Sequence, residues 1–103
     1  MNEIPYSSVR LKIVEADGNK LLGVEIELPN SPPLVLIRGS RGFVMCGYLD
    51  IDTAEKLGAI AVKVRGVKNV EEMLEKEICE VTSKARDIGF NTGVKVKDII
   101  KYL

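Results

Sequence analysis

The sequence predicts an α+β fold with a mixed β-sheet. Residues 8–48 contain two predicted hairpins, at about 8–28 and 34–48, in which apolar runs are separated by turn residues. Residues 50–103 instead interleave short helical patterns with short strands and end in a predicted amphipathic helix. Strands followed by this mixture are typical of the α+β class. We expect one domain over residues 1–103, a size at which a single core is usual.

The first hairpin is the clearest local prediction. Two alternating runs flank Asp17-Gly18, a dipeptide that favours a two-residue hairpin turn. On one face the resulting register places Val9 opposite Ile26, Leu11 opposite Val24, and Ile13 opposite Leu22. On the other face it places Arg10 opposite Glu25, with Lys12 diagonal to that carboxylate. We expect the apolar face to lie on the core and the charged face to lie in water.

The second hairpin has a different pattern. The segment 29–33 contains three prolines, which lack the amide donors of a ladder, so we expect an extended connection there. The runs 34–37 and 43–46 are apolar without alternation, which favours strands covered on both faces in the middle of the sheet. A chain with only short helices does not cover both faces by itself. We therefore expect it to form a homo-oligomer.

Helix starts are predicted from capping residues downstream. Asp50, with Asp52 as a rival, Asn69 and Ser83 are residue types that accept hydrogen bonds from free amides at a helix N-terminus. Strands are expected at 59–64 and at 78–82, and Cys79 is expected in the core. A terminal amphipathic helix is predicted from the i, i+3, i+4, i+7 spacing of four residues: Val96, Ile99, Ile100 and Leu103.

Composition excludes several classes of function. Lys+Arg and Asp+Glu number 15 each, so there is no net field to attract nucleic acid or an anionic membrane, and no apolar run is long enough for a membrane span. Residues 1–7, expected to be a loose lead-in, lack a signal-peptide pattern. The absence of histidine argues against a metal site or a Ser-His triad, and we expect no cofactor. Two cysteines without metal-like spacing favour the cytoplasm.

The segment Met45-Cys46-Gly47-Tyr48 lies at a predicted strand-to-helix junction and is the candidate site. A helix N-terminus can activate a thiol such as Cys46 for a catalytic role. Gly47 would let a ligand approach the backbone, and Tyr48 would offer a hydroxyl. The alternative interpretation is that Cys46 is a small core residue and Tyr48 an amphipathic ring at the edge of the core.

Two arginines complete the candidate ligand-binding set. Arg38 and Arg41 flank a predicted glycine turn, where paired guanidinium groups can clamp a phosphate or carboxylate. The simpler interpretation is a hairpin tip with solvated charges.

The chain resembles a known family. The resemblance lies in Arg-Gly-Phe-Val-Met-Cys-Gly-Tyr-Leu-Asp at 41–50, Ala-Glu-Lys-Leu-Gly at 54–58, Gly66-Val67 and residues 85–93. In these segments it is similar to the YunC-like proteins of archaea and bacteria, the domain-of-unknown-function family 1805. That family often has Asn where Asp50 stands, and both residues cap helices. The resemblance implies a compact, cytoplasmic, oligomeric α+β domain without an assigned activity.

Two hypotheses of function follow. The first is an uncharacterised cytoplasmic α+β protein that self-associates, with neither nucleic acid nor membrane as a partner. The alternative is a small-ligand-binding protein or thiol-dependent enzyme with its site around the Met45–Tyr48 junction. The lack of a histidine base favours the first hypothesis, whereas the combination of thiol, glycine and tyrosine at one junction favours the second.

Overall fold

The computed structural model describes residues 8–103, which form an α+β fold as predicted. The predicted lead-in at 1–7 lies outside the described residues. Within 8–103, one mixed sheet has its six strands in sequential order, and three short helices pack on it. The strands are β1 (Val9–Ala16), β2 (Asn19–Leu28), β3 (Ser31–Arg38), β4 (Gly42–Met45), β5 (Ile60–Lys63) and β6 (Glu80–Val81). The helices are α1 (Ile51–Lys56), α2 (Val70–Glu75) and α3 (Ser83–Asp87).

Strands β1 to β4 form a continuous antiparallel meander. The expectation of an extended connection over 29–33 is wrong, because β3 already begins at Ser31. A tight turn at Asn30, with φ 53°, joins β2 directly to β3. Pro32 and Pro33 lie where the β2–β3 register shifts between Ile26 and Leu28. A proline is tolerated at such an irregularity because a ladder donor is not required there.

The register of the first hairpin is confirmed at every predicted pair. Asp17 and Gly18 have φ values of 50° and 79°, the left-handed conformations that a type I′ turn requires. The Arg10 Nε and Lys12 Nζ each lie 2.8 Å from a carboxylate oxygen of Glu25. The charges therefore pair across the strands as expected.

The face of this hairpin that packs on the core is the opposite of the one predicted. Val9, Leu11 and Ile13 are 44%, 67% and 65% exposed. The face expected to be wet instead packs under α2 and the C-terminal segment, and its Glu25 is only 1% exposed. The main core of the protein lies on this charged side of the sheet.

Helix α2 can cover the charged face because the carboxylate of the buried Glu25 has hydrogen-bond donors for both of its oxygens. Its carboxylate accepts hydrogen bonds from Arg10, from Lys12 and, at 2.7 Å, from the backbone amide of Val70 at the start of α2. Gly23 leaves room for the helix, since a Cβ there would lie 2.8 Å from Val70 Cγ2. Burial alone would raise the pKa of Glu25, but these hydrogen bonds outweigh it and lower the pKa to about 2.

Within residues 8–103, the inverted packing leaves an apolar surface uncovered, which we call the open face. Helix α1 covers this side of the sheet only over β4 and β5, where Ala54 packs on Met45 and Ala61. Over β1, β2 and β3 the aliphatic side chains are exposed or half-buried. The open face consists of Val9, Leu11, Ile13, Leu22, Val24, Ile26, Leu34 and Leu36, of which Leu34 also packs against the main core.

The predicted caps are largely confirmed. Asn69 Oδ1 accepts from the Glu72 amide at 2.7 Å at the start of α2. At α3 the cap is Thr82 and not the predicted Ser83, since Thr82 Oγ1 accepts from the Ala85 amide. None of the helices within 8–103 has the length and apolar character that a membrane crossing requires.

The predicted terminal amphipathic helix is replaced by two short 3₁₀ turns, at Val96–Asp98 and Ile100–Tyr102. Ile99, with φ −122°, interrupts the helical conformation between them. The apolar residues that suggested the helix are nevertheless all buried. The spacing therefore identified the buried residues correctly, although tertiary packing and not helical hydrogen bonding determines the local conformation.

We expect Glu25→Gln to lower the free energy of unfolding by about 3 kcal/mol at neutral pH, because the pKa of this carboxyl falls from its ordinary value of 4.5 to about 2 in the folded state. Because the folded-state pKa is lowered, this stabilisation is present above about pH 4.5 and is lost as the pH falls toward 2. Urea unfolding of both proteins across this range measures the difference.

The matched control is Glu27→Gln. Glu27 is 59% exposed and, among residues 8–103, forms an ion pair with Arg10 alone, so Glu27→Gln should lower the free energy of unfolding by less than about 1 kcal/mol. A Glu25→Gln deficit that is independent of pH, or no larger than that of Glu27→Gln, would contradict a stabilising role for the buried carboxylate.

Candidate functional site

A concave pocket of about 320 Å³ opens at the carboxyl ends of β4 and β5. These two strands are parallel and are joined through α1. Ligand sites in open sheets commonly lie beyond the carboxyl ends of parallel strands, where the following loops meet. We call this cavity the junction pocket, and it is lined by Pro32, Pro33, Cys46, Gly47, Tyr48, Gly66, Val67 and Lys68.

Cys46 forms part of the pocket wall. Its side chain is 3% exposed and belongs to the main core, together with Val44 and Val64. The structure therefore combines the two interpretations of this residue: it is a small core side chain that also borders a cavity. Its sulfur adds a polarisable surface to an otherwise aliphatic wall.

Tyr48 and Gly47 occupy the outer part of the pocket. Tyr48 is 47% exposed, and its hydroxyl donates to the Pro32 carbonyl at 2.7 Å, which ties the loop after β4 to the start of β3. Gly47 is exposed, and a Cβ there would meet nothing closer than Arg65 Cγ at 3.9 Å. A glycine is therefore not required at this position by packing.

The loop between Cys46 and α1 is held at its distal end. Asp50 accepts from the Thr53 hydroxyl at 2.7 Å and from the Asp52 amide at 3.2 Å, and these bonds lower its pKa. Asp50, and not its rival Asp52, is thus the cap of α1. Lys63, which is 7% exposed, donates to the Leu49 carbonyl at 2.6 Å. These contacts fix the geometry of one wall of the pocket.

The two predicted arginines lie elsewhere. Arg38 ends β3 opposite Phe43, and Arg41 precedes β4, so both lie toward the opposite end of β4 from Cys46. At strand spacing their backbones are about 11 Å (Arg38) and about 16 Å (Arg41) from that of Cys46. The Arg41 guanidinium donates to the Tyr102 carbonyl at 2.8 and 3.0 Å. It lines a separate, polar pocket of about 470 Å³ with Lys20 and other residues near the C-terminal segment.

Five pocket residues were missed by the sequence analysis, namely Pro32, Pro33, Gly66, Val67 and Lys68. A signal for three of them was present. The segment 66–68 follows a predicted strand that is separated from the Phe43–Cys46 strand by one helix, and such a crossover favours parallel pairing. Parallel pairing brings the ends of both strands together. The prolines had no comparable signal, because their strand was not predicted to start so early.

Cys79 corrects a further expectation. It was predicted in the core but is exposed, because β6 begins only at Glu80. Its thiol donates to the Lys63 carbonyl and accepts from Arg65 Nη1, both at 3.2 Å. Within residues 8–103, no cluster of carboxylate and thiol side chains is arranged to hold a metal ion.

We expect iodoacetamide to alkylate Cys79 at least about tenfold faster than Cys46 at neutral pH, because Cys46 is almost fully buried. Peptide-resolved mass spectrometry of the folded protein measures both rates in one sample. Removing the outer wall with Tyr48→Ala should raise the Cys46 rate and leave the Cys79 rate unchanged. Equal rates in the native protein would show that Cys46 is more accessible than its position indicates.

Comparisons with known proteins agree with the resemblance seen in the sequence. The chain is similar to the uncharacterized protein YunC of Bacillus subtilis (strain 168), with 24% identity over 96 residues that cover 89% of this chain and 94% of that protein. It is also similar to TA1206, a protein of unknown function from Thermoplasma acidophilum. That crystal structure aligns with a TM-score of 0.87 and 36% sequence identity, covering 92% of each chain.

The family model described as domain of unknown function (DUF1805) matches residues 45–103, from the last residue of β4 through the whole C-terminal half. The match spans more than half of the chain and includes both loops that line the junction pocket. The chain therefore belongs to the DUF1805 family.

Proposed function

We propose that this protein is a self-associating domain and that a second copy covers its open face. The observation that supports this proposal is the uncovered aliphatic surface over β1, β2 and β3, where Leu11 and Ile13 are about two-thirds exposed. The apolar part of this surface spans about five residues in each of three strands, a projected area of roughly 250 Å² at ordinary strand spacing. A few hundred Å² is about the size of the largest apolar patch on an ordinary folded monomer, and such a patch is often functional.

The chemistry of the surface favours a second copy over a different partner. The centre of the open face has no charged side chain, so its complement must be equally apolar, and the same face on another copy meets that requirement. Its rim carries both signs of charge, from Glu15, Lys20 and Arg38. The formal net charge is zero, so two copies do not repel each other.

The layer geometry also supports this arrangement. Sheets stack about 10 Å apart, which is close to the thickness of a helix. A partner sheet on the open face would therefore lie in the same layer as α1, beside it. Contacts with α1 would extend the interface beyond the apolar centre, toward the roughly 800 Å² per partner that a stable complex needs.

Replacing Leu11 by Glu should dissociate the assembly, because association would then bury an unpaired carboxylate in an apolar interface, which is energetically costly. We expect sedimentation velocity at tens of micromolar to give a mass above 11.4 kDa for the native chain and near 11.4 kDa for the variant. Ile88→Glu is the control, since Ile88 is an exposed aliphatic residue that ends α3. A native mass of 11.4 kDa, or equal dissociation by both variants, would overturn the proposal.

A second candidate function is small-ligand binding in the junction pocket. It is favoured by the location of the cavity at the carboxyl ends of β4 and β5 and by its apolar walls. Thiol-dependent catalysis receives less support, since the chain has no histidine and Lys68 is the only charged side chain among the described residues that line the pocket. Amide shifts at Cys46–Tyr48 and Gly66–Lys68 in a fragment screen by NMR would reveal such binding.

We also propose a cytoplasmic location. Both cysteines are free, and exposed thiols such as that of Cys79 persist in reducing compartments. The two cysteines without metal-like spacing also favour this location. Fractionation of cells of the native host, followed by detection of the protein in each fraction, tests it directly.

A further inference from the structure

We propose that the junction pocket binds a small carboxylic acid with an apolar body, whose carboxylate is held by Lys68 and by the amides of the two loops that follow β4 and β5. This inference rests on the second candidate function, ligand binding in this pocket, and names the class of ligand. Shape, charge and open hydrogen-bond donors each support it.

The walls of the pocket select an apolar body. Pro32, Pro33 and Val67 present aliphatic surface, and the Tyr48 ring and the Cys46 sulfur complete the lining. A volume of about 320 Å³ holds about ten water-sized groups, which suits a single aromatic ring or a short branched chain with one polar group. Larger cofactors such as dinucleotides exceed this space.

The charge at the pocket favours an anion. Lys68 is the only basic residue among the described residues that line the pocket, and no Asp or Glu is among them. Lys68 is exposed and makes no ion pair with any other residue in 8–103. Glu72 is an acid close to Lys68 in the chain, and its carboxylate accepts from the Lys68 backbone amide at 2.9 Å. Arg65 is close but already donates to Glu80 at 2.7 Å.

Open backbone donors reinforce the charge. The amides of Gly47 and Tyr48, in the loop after β4, donate to no acceptor in the described part of the chain. The amides of Gly66 and Val67, in the loop after β5, likewise donate to no acceptor in residues 8–103. Gly66 has a φ of 74°, and turns with such left-handed residues form concavities of amide groups that bind anions. Hydrogen bonds from amides and an ammonium group to a carboxylate are stronger than those to a neutral carbonyl.

The test compares two probes of the same shape and different charge, benzoate and benzamide. Each is titrated into the full-length ¹⁵N-labelled chain, and amide shifts are followed by NMR. We expect benzoate to bind about tenfold more tightly than benzamide. The largest shifts should occur at Gly47, Tyr48, Gly66 and Val67.

Lys68→Met removes the charge and retains the aliphatic stem. We expect this substitution to weaken the binding of benzoate about tenfold and to leave the affinity for benzamide unchanged. Lys84→Met is the matched control, since Lys84 is exposed on α3 and does not line the pocket, and it should alter neither affinity.

The outcomes separate the inference from the function on which it rests. Equal affinity for the two probes, or unchanged benzoate affinity in Lys68→Met, overturns the carboxylate as the ligand class and leaves small-ligand binding in place. No shift at the pocket amides with either probe overturns both. A shift pattern centred on Arg41 and Lys101 would place the anion in the other, polar pocket and would also overturn the inference.

Discussion

The structure depends on how the carboxylate of Glu25 is satisfied. A carboxylate that is 1% exposed is tolerable only if its charge is paired and its oxygens accept hydrogen bonds. Arg10 and Lys12 supply the charges from the neighbouring strand, and the Val70 amide supplies a donor from α2. The same contacts therefore neutralise the acid and dock the helix. This cluster determines which side of the sheet becomes the core.

Once α2 lies on the charged side, no other element in the described part of the chain covers the aliphatic residues on the other side of β1, β2 and β3. Helix α1 is only six residues long and reaches no further than β4 and β5. The open face is thus a direct result of where the buried carboxylate places α2. Self-association and ligand binding, as proposed, use different ends of this arrangement: the meander supplies the interface, and the parallel pair supplies the pocket.

Much of the local structure could be predicted because it depends on neighbouring residues. Asp17-Gly18 determines a hairpin register, and Asp50 and Asn69 cap helices through contacts within three residues. The buried side of the first hairpin could not be predicted in this way, since alternation distinguishes two faces without showing which one a distant helix will cover. Likewise, Cys46–Tyr48 was predicted as a site, whereas Lys68 enters it only through the parallel pairing of β4 with β5.

Strand β3 belongs to both surfaces. Pro32 and Pro33 line the junction pocket, while Leu34 and Leu36, immediately after them, form part of the open face. A small shift of this strand therefore changes both the junction pocket and the open face. The hydrogen bond from the Tyr48 hydroxyl to Pro32 connects the strand to the outer wall of the pocket. Thermodynamic linkage makes any such effect reciprocal. A ligand that strengthened association by a given factor would itself be held more tightly by the assembled form, by that same factor.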